Sequence, residues 1–303
     1  LDGMHFPLLV GFSNLKTFYS NLNNEFRLCG KCSLAALAGS YKSYFSINNS
    51  YLNCFVIYGR NLSETYALQS KLPALTNNTY GNFDKHSIIT TFFYETLFVF
   101  LLNIFVSLRH EWKQGRLRDI LTNKVIGFMA LKQGNNVTYE HMVEFCRITE
   151  FFTFLEKTAP AAGIAGSGSN AIEWPVFLNS LYLKPDDSSV LRDHICERIL
   201  NFNKVNDLIE EFLFRSGRTN KNLSYFIKTY HREVVGMEES MIDLCAAIGS
   251  EIGKKAKIKD TKGFLYAIRN CKYRSEFIKT LSQIQFPLEI NYSKILFESL
   301  QDE

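Results

Sequence analysis

"IITTFFYETLFVFLLNIFVSL", residues 88 to 108, decides what kind of protein this is. A run of about 20 mainly apolar residues is long enough to cross a bilayer as a helix. Polar residues interrupt this one, and Thr91, Glu95, Asn103 and Ser107 fall on one side at about 100° per residue. No second apolar span follows in the chain. The expected structure is therefore a buried amphipathic helix, and the flanking sequence must supply the layers that cover it.

Those layers differ on the two sides. Residues 1 to 80 are rich in Asn, Tyr, Phe and Ser, with short strand candidates such as "YLNCFVIYGR" (51 to 60) between turn-forming residues. After a basic connector, "HEWKQGRLRDILTNK" (110 to 124), "KVIGFMAL" reads as a strand. "TYEHMVEFCRITEFFTFLEK" (138 to 157) reads as a helix with Thr138 as its N-cap. The small-residue segment "TAPAAGIAGSGSN" (158 to 170) reads as a loop or linker. Helices are expected at 188–214, 219–235 and 238–257, followed by a broken pair over 261–299. Asp187 or Ser188, Thr219 and Ser275 are the expected N-caps, and Gly217 and Gly236 the expected stops. The chain thus reads as predominantly helical α+β: a mixed α/β body over 1–187 and a C-terminal helical bundle over 188–303.

At 303 residues, with 46% hydrophobic side chains, there is material for two cores. A net charge of +4 describes a mildly basic soluble protein whose surface is not wholly committed to polyanions, so any nucleic-acid surface must be local. Charge is in fact uneven. Between Arg215 and Lys294 there are ten Lys and five Arg against eight acidic residues, a net of +7. The excess centres on "GKKAKIKDTKG" (253 to 263) and continues through Arg269, Lys272 and Arg274. On a helix whose apolar stripe is Met241, Cys245, Ile248 and Ile252, Lys254 and Lys257 project away from that stripe. Such a run is a solvated face or, because it continues through two successive elements, a surface that tracks a phosphate backbone.

Seven cysteines, five of them isolated in apolar or helical stretches, point to reduced thiols and a cytoplasmic location. No basic segment followed by an apolar one opens the chain, so secretion is not expected. Cys29 and Cys32 form the one CxxC pair, in "FRLCGKCSLA". Three chemistries fit that spacing: a redox dithiol, half of a structural zinc site, or a metal-free knuckle. The expected strand before the pair is weak and no second pair follows, which leaves the three open. There is no GxSxG and no HExxH, and "GIAGSGSN" lacks the Lys of a phosphate-binding loop. The six histidines are isolated, and Glu95 is a lone acid in its apolar helix. Enzymatic activity is not expected.

"AAIGSEIGKKAKIKDTKGFLYAIRNCKYRSEFIKTLSQIQ" (246 to 285) resembles the end of the large subunit of type I CRISPR Cascade complexes. The resemblance is carried by Gly249 and Gly253 in the basic stretch, then Leu265, Tyr266 and Arg269, then Glu276 and Phe277. Cys29 and Cys32 fit the branch of that family named for its CXXC pairs, although the second pair is missing. The resemblance implies a non-enzymatic, DNA-binding subunit of an antiviral ribonucleoprotein. It would recognise the protospacer-adjacent motif, stabilise the displaced strand of the R-loop and recruit the helicase-nuclease. Its implied partners are guide RNA, target DNA and the backbone and small subunits, with no membrane. The implied cofactor is a structural zinc on Cys29 and Cys32. Guide pairing supplies sequence reading in such a complex, so the protein needs only short duplex recognition and a basic track.

Within that frame Asn14, Lys16, Asn23 and Asn24 are candidate duplex readers, because Asn both donates and accepts; the alternative is an ordinary polar loop. Lys113, Arg116 and Arg118 of the connector, and Lys254, Lys257, Arg269, Lys272 and Arg274 of the bundle, are the candidate phosphate contacts. The competing readings are a helical interaction protein without nucleic acid, and a redox or metal enzyme built on the cysteine pair.

Overall fold

The computed structural model describes residues 44–48, 51–58, 92–115, 124–133, 136–158, 174–181, 189–216 and 221–290. Within them the protein is α+β and predominantly helical, with one four-stranded antiparallel sheet. The described residues through Phe226 form one compact unit and those from Ile227 another.

In the first unit, β1 (Tyr44–Asn48), β2 (Tyr51–Tyr58), β3 (Lys124–Gln133) and β4 (Asn136–Phe145) lie in the sheet in that order. Between β2 and β3 comes α1 (Phe93–Lys113), which carries the apolar run. Its Phe100 stacks on Phe55 of β2 at 5.0 Å and tilts against Tyr44 of β1 at 4.9 Å. The approach is tight at Gly127 of β3, where a Cβ would stand 2.8 Å from the Phe93 ring and 2.9 Å from Phe55. Only a residue without a side chain fits between those rings.

The opposite side of α1 is covered by α2 (Ile148–Thr158), α3 (Trp174–Ser180) and α4 (Ser189–Leu200). Phe98 meets Phe151 at 5.1 Å and Trp174 at 5.2 Å, while Phe105 and Trp112 flank Phe152. The helix is therefore covered on both flanks, and every residue from Glu95 to Phe105 is buried. This corrects the amphipathic expectation, because Glu95 and Asn103 sit in the core at 1% and 2% exposure and no solvent-facing stripe runs along them. A helix that is hydrophobic on all sides belongs in a protein core or a membrane. No helix among the described residues is long and apolar enough to cross a membrane.

Three further expectations change in this unit. The helix expected over 138–157 is a strand followed by a helix. Thr138 pairs with Leu131 in β4, and α2 begins only at Ile148. Val143 and the buried Phe145 alternate with the exposed Met142 and Glu144, a period of two. Apolar side chains then recur at Ile148, Phe151, Phe152 and Leu155, the spacing of a helix.

The domain boundary expected at 187/188 does not coincide with the division at 226/227. α4, α5 (Asn206–Ser216) and the start of α6 (Lys221–Tyr230) belong to the first unit. Arg192 of α4 is buried against Glu95, and Phe226 of α6 packs on Phe177 at 4.3 Å. The single helix expected over 188–214 is broken into α4 and α5 around Phe202, whose φ is +55°.

The second unit is helical throughout its described length. A π-helical turn, His231–Val235, follows α6 and ends at Gly236 with φ +76°, the left-handed conformation that suits glycine and makes it the expected stop. Three helices follow: α7 (Glu239–Ile258), α8 (Lys262–Arg269) and α9 (Arg274–Leu288). The broken pair read from the sequence is α8 and α9. Ser275 is not the N-cap, since that place is taken by Tyr273. The core is Ile252, Ala256, Leu281, Ile284, Leu288 and Ile290, with Leu244, Ile248, Phe264, Ile268 and Phe277 packed on it. Lys259 ties the ends of α7 and α9, its Nζ donating to the Pro287 carbonyl at 2.8 Å and to Glu289 at 2.7 Å.

Candidate nucleic-acid interface

The packed stripe of α7 is Leu244, Ile248, Ile252 and Ala256, four residues apart, with Ile242 also buried. It is rotated from the expected stripe, since Cys245 is exposed. The consequence for the two lysines survives. At 100° per residue Lys254 and Lys257 stand on the side opposite Ile252, and both are exposed. On α8, Phe264 and Ile268 face the core, which turns Leu265, Tyr266 and Arg269 outward. Lys272, Tyr273 and Arg274 form the exposed corner between α8 and α9.

The five expected phosphate contacts of the bundle thus all reach solvent, on three successive elements of one unit. α8, which leads from the lysines of α7 to the corner, is eight residues long and spans about 12 Å along its axis. Lys259 is held by Glu289, whose carboxyl it keeps below the ordinary range through that hydrogen bond and its charge. Glu276 turns back to accept from the Lys272 backbone N–H at 3.0 Å, fixing the corner.

Lys113, the remaining described cation of the set, is exposed at the end of α1 in the first unit. Asn14, Lys16, Asn23, Asn24, Arg116 and Arg118 lie outside the described residues, as do Cys29 and Cys32. Among the described residues no group of three or more His, Cys, Asp or Glu is arranged to hold a metal ion.

Two features escaped the sequence reading. One is aromatic: Tyr273 is 68% exposed and Tyr266 50%, beside the cations of the corner. The helical offset of Tyr266 from Phe264 and Ile268 was the signal available for it. The other is a buried polar cluster in the first unit. Glu95 accepts from Arg192 Nε at 2.6 Å and from the Phe92 N–H at 2.9 Å, while its own N–H donates to Asp193 at 2.9 Å.

Phe92 supplies no side-chain cap to α1, so Asp193 provides one from α4, 98 residues away. Burial pushes the Asp193 carboxyl up to about 7, and the Glu95 charge adds to this, against the lowering effect of the backbone N–H groups it accepts from. Burial, with the charge of Glu197 and a hydrogen bond to it, pushes Tyr94 to about 12, and burial raises the Cys196 thiol well above its ordinary value. The carboxylates are engaged with the guanidinium and the helix terminus, an arrangement that locks α4 onto α1.

Compared with family models, with curated proteins and with solved structures, the chain matches none.

Proposed function

We propose that the chain is a non-enzymatic, DNA-binding large subunit of a CRISPR RNA-guided complex, and that the outer face of α7, α8 and the α8–α9 corner contacts the nucleic-acid backbone. The observation that carries the DNA-binding part is the exposure of Lys254, Lys257, Arg269, Lys272 and Arg274 on three successive elements. Long cationic side chains on a preformed surface neutralise phosphates and release counterions, whatever the base sequence. Membership in an RNA-guided complex, recognition of the adjacent motif and recruitment of the helicase-nuclease rest on the resemblance of residues 246–285. Isolating the tagged chain from its native cells and sequencing any RNA that accompanies it tests that part. A set of short RNAs sharing a common repeat is expected, and a preparation free of RNA removes the assignment.

One observation favours a second reading, a helical interaction protein. Phe286 is 83% exposed, Ile258 78% and Leu265 42%, all in the same helical unit. Exposed apolar side chains grouped on one unit suit a protein partner. The two readings separate on salt, because burial of apolar surface survives ionic strengths that abolish phosphate contacts.

A further inference from the structure

We propose that Tyr266 and Tyr273 form a base-stacking pair, so that the ligand of this face is a single strand with unpaired bases. This deepens the nucleic-acid reading and rests on it. Within nine residues the exposed side chains include Tyr266, Arg269, Lys272, Tyr273 and Arg274, two aromatics interleaved with three cations. Sequence-tolerant single-strand sites combine the same two parts, cations that follow the backbone and aromatic faces on which bases stack. A duplex keeps its bases stacked on one another and offers such rings nothing.

The corner is built to hold both rings out. Phe264 and Ile268 are committed to the core, which sets the rotation of α8 and leaves Tyr266 and Arg269 one turn apart on its outer side. Asn270 N–H donates to the Tyr266 carbonyl at 3.0 Å and Cys271 N–H to the Ile268 carbonyl at 3.2 Å, closing α8. Cys271 Sγ lies 3.2 Å from Thr280 Oγ1, tying the corner to α9. Tyr273 occupies the N-cap position with φ −122° and ψ 150°, an extended residue whose side chain makes no capping bond. Its ring is therefore spent neither on the core nor on the helix end. A preformed platform loses little conformational freedom on binding, which favours affinity. Arg269 and Arg274 add guanidinium planes that stack on bases as well as pairing with phosphates.

The test compares two probes of equal charge, an oligothymidylate and an abasic strand with the same number of phosphates, at fixed salt with the whole chain. The wild type is expected to prefer the strand with bases by about 5- to 150-fold per stacked base. Tyr266→Ala with Tyr273→Ala should erase that preference and leave the salt dependence unchanged, since no charge is removed; the Phe pair should restore it. Far-UV circular dichroism verifies that the exposed substitutions leave the helices intact. Equal binding of both probes by the wild type, with a steep salt dependence, overturns the stacking role and leaves the phosphate reading standing. Binding of neither probe overturns both.

Discussion

Replacing Glu95 with Gln removes one negative charge from the core of the first unit while keeping its shape. Glu95 and Arg192 are each 1% exposed, so the guanidinium would remain buried with its principal counter-charge gone. The amide would also present a donor to Arg192 Nε or to the Phe92 N–H, where the carboxylate accepted from both at 2.6 and 2.9 Å. Breaking a buried pair in this way costs about 3–5 kcal/mol. Against a total stability of roughly 5–15 kcal/mol, and at about 2–4 °C per kcal/mol for a unit of this size, the melting temperature should fall by roughly 6–20 °C.

Fluorescence isolates the effect, because the chain's two tryptophans, Trp112 and Trp174, both lie in the first unit. The Trp-detected transition should move while the second unit's helical signal does not. Glu95→Leu combined with Arg192→Met should be less damaging than Glu95→Gln, since an apolar pair leaves no orphaned charge. A Glu95→Gln chain melting within 1–2 °C of the wild type, with the two circular dichroism transitions unaltered, would refute the claim that this pair locks α4 to α1.

Three further outcomes are expected. Gly127→Ala should destabilise the first unit by about 1–3 kcal/mol in urea melts, because its Cβ would stand 2.8 Å from the Phe93 ring and 2.9 Å from Phe55, which are packed against each other. Asp193 has a folded pKa of about 7, above its ordinary value of 3.8, so its contribution is full below the lower value and is lost as pH rises through the upper one. Trp-detected stability should accordingly decline between about pH 4 and pH 7 more steeply in the wild type than in Asp193→Asn, and parallel curves would contradict the assignment. Lys254→Ala with Lys257→Ala should leave the melting temperature within the range of ordinary surface substitutions, about 0.5 kcal/mol, because both side chains are exposed and opposite the packed stripe.

What was legible in the sequence was whatever depended on local pattern. The bounds of α7, the break between α8 and α9 and the stop at Gly236 follow from apolar spacing and backbone preference within one or two turns. The outward placement of Lys254 and Lys257 was legible for the same reason. It tolerates a rotated stripe because the polar side of α7 is broad. Three things were not local.

Arg192 lies 97 residues from Glu95, so nothing near the apolar run announced that its acid would be neutralised inside the core. Polar residues on one side of a helix then look like a solvent face. Strand β4 was misread because Tyr139, Met142, Val143 and Cys146, three and four residues apart, also satisfy a helical spacing, and only pairing with β3 selects the period of two. Tyr266 and Tyr273 were overlooked as binding residues because aromatic side chains at helical spacing more often fill a core. Their exposure depends on which of their neighbours the core had already taken.

The central claim is that the outer face of the second unit binds phosphates, and the salt dependence of DNA binding tests it most directly. Binding of a labelled single strand should be followed by fluorescence anisotropy from low to moderate salt, for the wild type and for a chain with Lys254, Lys257, Arg269, Lys272 and Arg274 all replaced by Gln. Each lost phosphate contact on a single strand reduces the slope of log K against log salt by about 0.7, so the five together should flatten it by about 3.5. Unrelated sequences should show the same change, since backbone contacts carry no sequence information. An unchanged slope and affinity in the five-fold variant, with its helices intact, would contradict the account and leave these charges as a solvated face.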